Sequence, residues 1–329
     1  LGHMALVSAL TAAAAAGGLA SLLYTFDDHP QNVLASDRPR LGLLMNKEQK
    51  CDILRAAAAD AVYFERFDLE YARMEPEEFV SWILVGKLRA KLAVVGFNYR
   101  FGHKNRGTPE LLRKFGAARG LGVLVVEPYR VGGQCVSSSL IRQKLEAGDV
   151  RGAALCLGRL FSVRGAVCEG RHIGRTIGVP TANISRSPGA LAPAQGVYVT
   201  ACKVGGRMYR SVTSIGRNPT VARGPAAGMD PAVDRGPASG MDPGAGAAGM
   251  EPAAGAGGSG DATTETFMLG FSGDAYGAEA EVYFYEKLRD IRKFSDLGAL
   301  KGQIQKDIRA AESYFSGIGG CSGATAGNA

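Results

Sequence analysis

Between Gly170 and Ile184 the chain reads G-R-H-I-G-R-T-I-G-V-P-T-A-N-I. Gly170, Gly174 and Gly178 thin the side chains from a loop and leave backbone N–H groups free to cradle phosphate oxygens. A strand is expected from Pro180, and its alternation puts Thr181 and Asn183 on one face. A hydroxyl and an amide oxygen side by side are hard donors suited to Mg²⁺, the companion of ATP phosphates. Glycine turns in a hairpin would give similar spacing, so the P-T-A-N tail carries the specificity. Glu265 offers a different chemistry. Along its strand it shares a face with Phe267, Leu269 and Phe271, which would leave the carboxylate partly desolvated and able to take a proton from an alcohol. By pattern alone, a glutamate at a solvated strand end fits equally well.

Three further segments carry polar groups in the first half. Thr25-Phe26-Asp27-Asp28-His29-Pro30 follows an apolar run, as does Gly96-Phe97-Asn98-Tyr99-Arg100-Phe101-Gly102. Val136-Ser137-Ser138-Ser139-Leu140-Ile141-Arg142 opens a helix, where hydroxyls and free N–H groups form an anion site. Taken singly, His29 could merely cap a turn and the serines a helix.

The elements that must hold these groups change character along the chain. Ala5 to Ala16 reads as an Ala-rich helix and Leu19 to Phe26 as a buried strand. The uncharged run from Met4 to Phe26 has no basic flank and is split by Gly17-Gly18, which argues against a signal peptide or membrane span. Helices over Lys47–Ala59, Pro76–Leu88 (with Trp82 on the apolar face) and Pro109–Ala118 alternate with strands Ala61–Phe67, Leu92–Phe97 and Val123–Val126. Such alternation implies a doubly wound parallel sheet covered on both faces, with ligands at the carboxyl ends of its strands. Helices at Ser139–Glu146 and Val150–Leu157 close this half. Strands Leu160–Val167, Val179–Ile184, Gly196–Val204, Met208–Ile215, Thr263–Phe271 and Ala278–Tyr285 then suffice for a six-stranded antiparallel barrel. A last helix from about Asp296 to Tyr314 carries Leu297, Leu300, Ile304 and Ile308 at helical spacing. The expected division is residues 1–148 for the α/β domain and 149–316 for the barrel. Repeats of R-G-P-A-x-G-M-D-P mark 222–261 as a low-complexity insert, expected to be disordered together with the 317–329 tail.

With 329 residues the chain can build two cores, and a net charge of +7 spread without a basic stripe suits nucleotides better than nucleic acid. Six cysteines without C-x-x-C pairs or metal-ligand spacing read as reduced thiols of a cytoplasmic protein. Oligomeric state is not legible.

The P-T-A-N segment resembles the nucleotide-binding segment of riboflavin kinases, and the whole chain resembles bacterial bifunctional riboflavin kinase/FAD synthetases. Their first domain, the FMN adenylyltransferase, carries G-x-F-D-G-x-H-x-G-H, T-F-x-P-H-P, G-x-[DN]-F-x-F-G and S-S-T-x-I-R motifs. Here Leu1-Gly2-His3 match only the last three positions of the first motif, Asp28 replaces a proline and Ser139 a threonine. The resemblance implies an N-terminally truncated chain that lacks the first, central strand and first histidine of the parent protein. It implies ATP-dependent phosphorylation of riboflavin in the barrel and adenylylation of FMN in the α/β domain. By resemblance, His3 would stabilise the transferring phosphoryl group and Arg142 the departing pyrophosphate. His29, Asn98, Arg100, Ser137, Ser138 and Ser139 would line that nucleotide site. In the barrel, Gly170, Gly174, Arg175, Gly178, Pro180, Thr181, Asn183 and Arg289 would bind ATP or flavin. Thr181 and Asn183 would hold Mg²⁺, and Glu265 would be the base. Asn218 stands in an arginine position of the family. The alternatives are a riboflavin kinase with an inactive first domain, or a flavin-binding module without catalysis.

Overall fold

The computed structural model describes residues 1–27, 30–34, 41–169, 179–187, 189–217 and 262–319. Its first half alternates helices and short strands. Helix α1 (Gly2–Gly17) leads to β1 (Leu22–Phe26), followed by α2 (Pro30–Leu34) and α3 (Lys47–Arg55). After β2 (Ala61–Glu65), α4 (Pro76–Glu78) runs directly into a π-helical segment, Phe79–Lys87, before β3 (Leu92–Gly96). Next come α5 (Pro109–Ala117), β4 (Gly122–Val126) and a minimal hairpin of β5 (Arg130–Val131) and β6 (Gln134–Cys135). Helices α6 (Ser138–Glu146) and α7 (Val150–Leu157) complete this half. Gly158, with φ of 75°, ends α7 in the left-handed conformation that glycine adopts without strain.

Two expectations are corrected here. The parallel strands form two separate pairs, β1 with β2 and β3 with β4, instead of one sheet covered on both faces. All five residues of β1 and of β3 are only half-buried, because among the described residues each strand pairs along one edge alone. Trp82 does not sit on the buried face; it is 61% exposed. A π turn takes more residues than an α turn, so Phe79 and Val80 point inward with Leu84 beside them, and Trp82 falls opposite.

The second half is a closed barrel in the order β10-β11-β8-β7-β12-β9. Its strands are β7 (Phe161–Cys168), β8 (Ala182–Arg186), β9 (Gly196–Val204), β10 (Arg207–Arg217), β11 (Ala262–Met268) and β12 (Glu279–Arg289). All neighbouring strands are antiparallel, as the six-strand pattern implies. The interior packs Val163, Ile184, Tyr198, Cys202, Ile215, Met268, Val282 and Phe284. Ile141 and Leu145 of α6 and Val150 and Cys156 of α7 join the same buried cluster, so α6 shares the barrel's core.

Strand β8 begins at Ala182, two residues beyond Pro180. Helix α8 (Leu297–Gly319) continues past Tyr314 and includes Gly317, which the sequence had assigned to a disordered tail. Leu297 is 58% exposed; the face that meets the barrel is Ile308, Ala311 and Phe315, packed on Val197, Val199 and Val212.

The two halves meet through α3. Its N-cap Asn46 forms a capping box with Gln49 and donates to Ser187 Oγ at 3.3 Å. Buried Gln49 Nε2 donates to Ser162 Oγ at 3.0 Å and Glu281 Oε1 at 2.9 Å. Arg164 bridges Asp52 at 3.0 Å and Glu281 at 3.3 Å. Burial opposes ionisation of Glu281, but Ser162, Gln49, Tyr283 and Arg164 outweigh it and hold the carboxyl below its ordinary range. Backbone bonds from Leu43 to Gly189 (2.8 Å) and from Leu191 to Leu43 (2.9 Å) extend the junction. A cleft of about 450 Å³, lined in part by Asn46, Glu48, Arg164 and Glu279, opens beside it.

Candidate functional site

On the barrel, register alone assembles a row of residues. Arg289 pairs with Val197, Val197 with Ser214, Ser214 with Glu265, Glu265 with Asn183, and Asn183 with Cys168. These residues occupy the outer face, since their neighbours Ile184, Ile215 and Tyr198 point into the core. Glu265 and Asn183 are therefore directly opposed, with side chains rooted about 5 Å apart. Both are half-buried, as is Thr181 just before β8, while Pro180 is exposed. The amide and the carboxylate thus face each other, and the Thr181 hydroxyl is carried by the residue just before β8. All three are hard oxygen donors, the chemical type that Mg²⁺ prefers.

Glu265 shares a face with Phe267 and is half-buried. The core side of β11 carries Thr264, Thr266 and Met268, all buried, and Glu265 stands on the opposite, outward side with Phe267. The inward positions flanking Glu265 are threonines. Thr266 is satisfied inside the barrel, meeting Thr213 at 3.0 Å, and the network runs on from Thr213 to Thr200 at 2.7 Å and from Thr200 to Ser211 at 2.8 Å, whereas the Thr264 hydroxyl is buried without a partner among the described residues.

Arg289 lies three strands from Glu265 in this row, about 14 Å away around the sheet. Its guanidinium makes a bidentate pair with buried Asp307 of α8, with contacts of 2.7 and 3.0 Å, and Gln303 supports Asp307 at 2.7 Å. The structure thus uses Arg289 to fasten α8 and does not bring it to Glu265. Gly170, Gly174, Arg175 and Gly178 lie outside the described residues, as do His29, Asn218 and the 222–261 insert.

In the α/β half, polar groups collect at the carboxyl end of β1. A Cβ added at Gly2 would lie 3.7 Å from Val136 O, so the start of α1 abuts the segment leading into α6. Ser137 caps α6, accepting from Leu140 N at 3.2 Å, with Ser138 and Ser139 in the first turn. The starts of the two helices therefore lie close together, and a helix N-terminus favours an anion. His3 is exposed on α1; desolvation by the surrounding chain, then the N-terminal ammonium and Lys50, lower its pKa. Arg142 Nε donates to Gly42 O at 2.9 Å, and partial burial lowers its pKa. Asn98 and Arg100 are exposed on the loop after β3, joined by no described hydrogen bond to His3 or Arg142.

Sequence reasoning missed Lys50. Its Nζ donates to Thr25 Oγ1 at 2.6 Å and to Phe26 O at 3.2 Å, at the end of β1. The available signal was a lysine within a polar helix, which looks like any solvated face.

No helix among the described residues is long and apolar enough to cross a membrane. The FAD synthetase family model matches residues 1–140, and the riboflavin kinase model matches 157–230 and 235–315. Proteins named bifunctional riboflavin kinase/FMN adenylyltransferase match over nearly the whole chain. The Bacillus subtilis protein is 28% identical over 97% of this chain and 90% of its own length. The Listeria monocytogenes protein is 29% identical over 96% and 89%, and that of Escherichia coli K12 29% over 95% and 88%. A Streptococcus pneumoniae crystal structure described as a macrolide-efflux protein superposes with a TM-score of 0.74 at 27% identity, over 94% of this chain and 89% of that one. The two matched models, in order along one chain and borne on an α/β half and a six-stranded barrel, place it in the family of bifunctional riboflavin kinase/FMN adenylyltransferases.

Proposed function

We propose that this chain makes FMN from riboflavin and ATP in its barrel, residues 149–316, and FAD from FMN and ATP in its α/β half, residues 1–148. The cross-strand pair of Glu265 and Asn183, with Thr181 beside it, carries the reading of the barrel. Glu265 takes the proton from the terminal ribityl hydroxyl as that oxygen attacks the γ-phosphorus of ATP, and ADP leaves. Thr181 and Asn183 would hold Mg²⁺, which when bound neutralises phosphate charge. Orientation and charge stabilisation supply most of the remaining acceleration.

In the α/β half the FMN phosphate attacks the α-phosphorus of ATP, the α–β bond breaks, and pyrophosphate departs without a covalent enzyme intermediate. His3 and the two helix N-termini face the transferring group, and Arg142 the pyrophosphate, with Ser137, Ser138, Ser139, Asn98 and Arg100 around the nucleotide. The free thiols among the described cysteines fit a cytoplasmic enzyme.

The separation of the parallel strands into two pairs favours a second reading, a riboflavin kinase whose α/β half is a scaffold. Incubation with riboflavin, ATP and Mg²⁺, followed by chromatography of the flavins, separates the two. FMN and FAD together support two activities; FMN alone supports the kinase reading. Flavin binding without turnover would overturn both.

A further inference from the structure

We infer that Lys50 contacts the phosphate chain of the nucleotide in the α/β half, a role that rests on the adenylyltransferase reading and adds a residue to it. Three observations converge on this ammonium. It sits at the carboxyl end of a parallel strand, hydrogen-bonded to Thr25 Oγ1 and Phe26 O, where ligands of α/β sheets bind. It lies within electrostatic reach of His3, which stands in the first turn of α1 beside the α6 N-terminus.

The ammonium also has no carboxylate in ion-pair contact among the described residues. Asp27, the nearest acidic influence, is already bridged by Lys47 at 3.0 Å, and the partners of Lys50 are neutral oxygens. Desolvation lowers its pKa, so the charged form is held at a cost that a bound anion would offset. Among the described residues the third N–H of Nζ has no partner, which leaves it for a phosphate oxygen.

The helix that carries Lys50 is fixed from behind. Gln49, the preceding residue, is buried against Ser162 and Glu281 of the barrel, and Phe64 lies 5.6 Å from Nζ. The ammonium is therefore delivered by a helix that cannot easily rotate, which limits the ordering cost of meeting a ligand.

The test compares wild-type chain with Lys50→Met and Lys50→Arg. Pyrophosphate-dependent conversion of FAD to FMN and ATP, and its reverse, read the α/β half; riboflavin phosphorylation reads the barrel as an internal control. Lys50→Met should raise the KM for pyrophosphate and for ATP in adenylylation by roughly 10- to 100-fold, the effect of one lost charge-assisted hydrogen bond. Lys50→Arg should recover most of that loss, with riboflavin phosphorylation unchanged in both. Equal falls in kcat for both variants at unchanged KM would show a structural tether and overturn the inference. A wild-type chain that forms no FAD would break the functional reading instead. Calorimetric binding of inorganic pyrophosphate would then decide Lys50 alone: weaker binding by Lys50→Met supports the contact, and equal binding ends it.

Discussion

In the barrel every strand has two partners, and the register carries Asn183, Glu265 and Ser214 side by side across three adjacent strands. In the α/β half the parallel strands stop at two pairs, and the candidate residues come from helix starts and loop ends instead. A closed sheet places side chains by hydrogen-bond geometry, so its site needs little outside support. The open half borrows rigidity from its neighbour: α3 holds Lys50 against the end of β1 while Gln49 and Asp52 grip β12 and β7. Placement by register should tolerate distant change, whereas placement by docked helices should feel changes at the junction.

The sharpest way to break this contrast is Glu265→Gln. Riboflavin phosphorylation should fall by roughly 10²- to 10⁴-fold, with FAD formation from supplied FMN unchanged. Retained phosphorylation would remove Glu265 as the base. Next in size is Asp307→Ala, which strands Arg289 without its bidentate partner. Barrel stability should drop by roughly 3 kcal/mol in denaturant unfolding, and an unchanged midpoint would mean that α8 is held by Phe315 and its apolar neighbours alone.

Gln49→Ala tests the junction. It removes a donor from buried Glu281 and should cost about 1–2 kcal/mol, seen as separate unfolding of the halves. The junction is also sensitive to acid. The folded pKa of Glu281 is depressed, so its contribution is present above the ordinary carboxylate value and is lost as pH falls through the folded one. Stability should therefore decline below about pH 4.5 in the wild type, with a shallower slope in Glu281→Gln. Equal slopes would show that this carboxylate does not set the acid response. The smallest effect is expected from Trp82→Ala. An exposed side chain away from any network should change stability by no more than about 0.5 kcal/mol, and a larger loss by thermal denaturation would contradict its outward orientation.

The barrel's strands were legible because short apolar alternations between turn residues leave few other solutions; Gly196–Val204 matches its strand residue for residue. Which side of β11 lines the core was not. Threonines at 264 and 266 look solvent-facing in a sequence, yet the barrel interior pairs Thr266 with Thr213. Trp82 was misplaced because periodicity assumes an α-helix, and the π turn shifts the buried face.

Local chemistry set the helix starts. Ser137 and Asn46 cap their helices through their own side chains, and Thr108 does the same, so these boundaries follow from neighbours in sequence. The glycine-rich segment and P-T-A-N are likewise local patterns, from which the sequence expects nucleotide chemistry without reference to a fold. The tertiary structure alone decided that Glu265 faces Asn183, that Arg289 is taken by Asp307, and that Lys50 reaches Thr25. Each is a meeting of residues far apart in sequence. Cross-strand register and helix docking, which sum packing over the whole molecule, fix such meetings, and no local pattern encodes them.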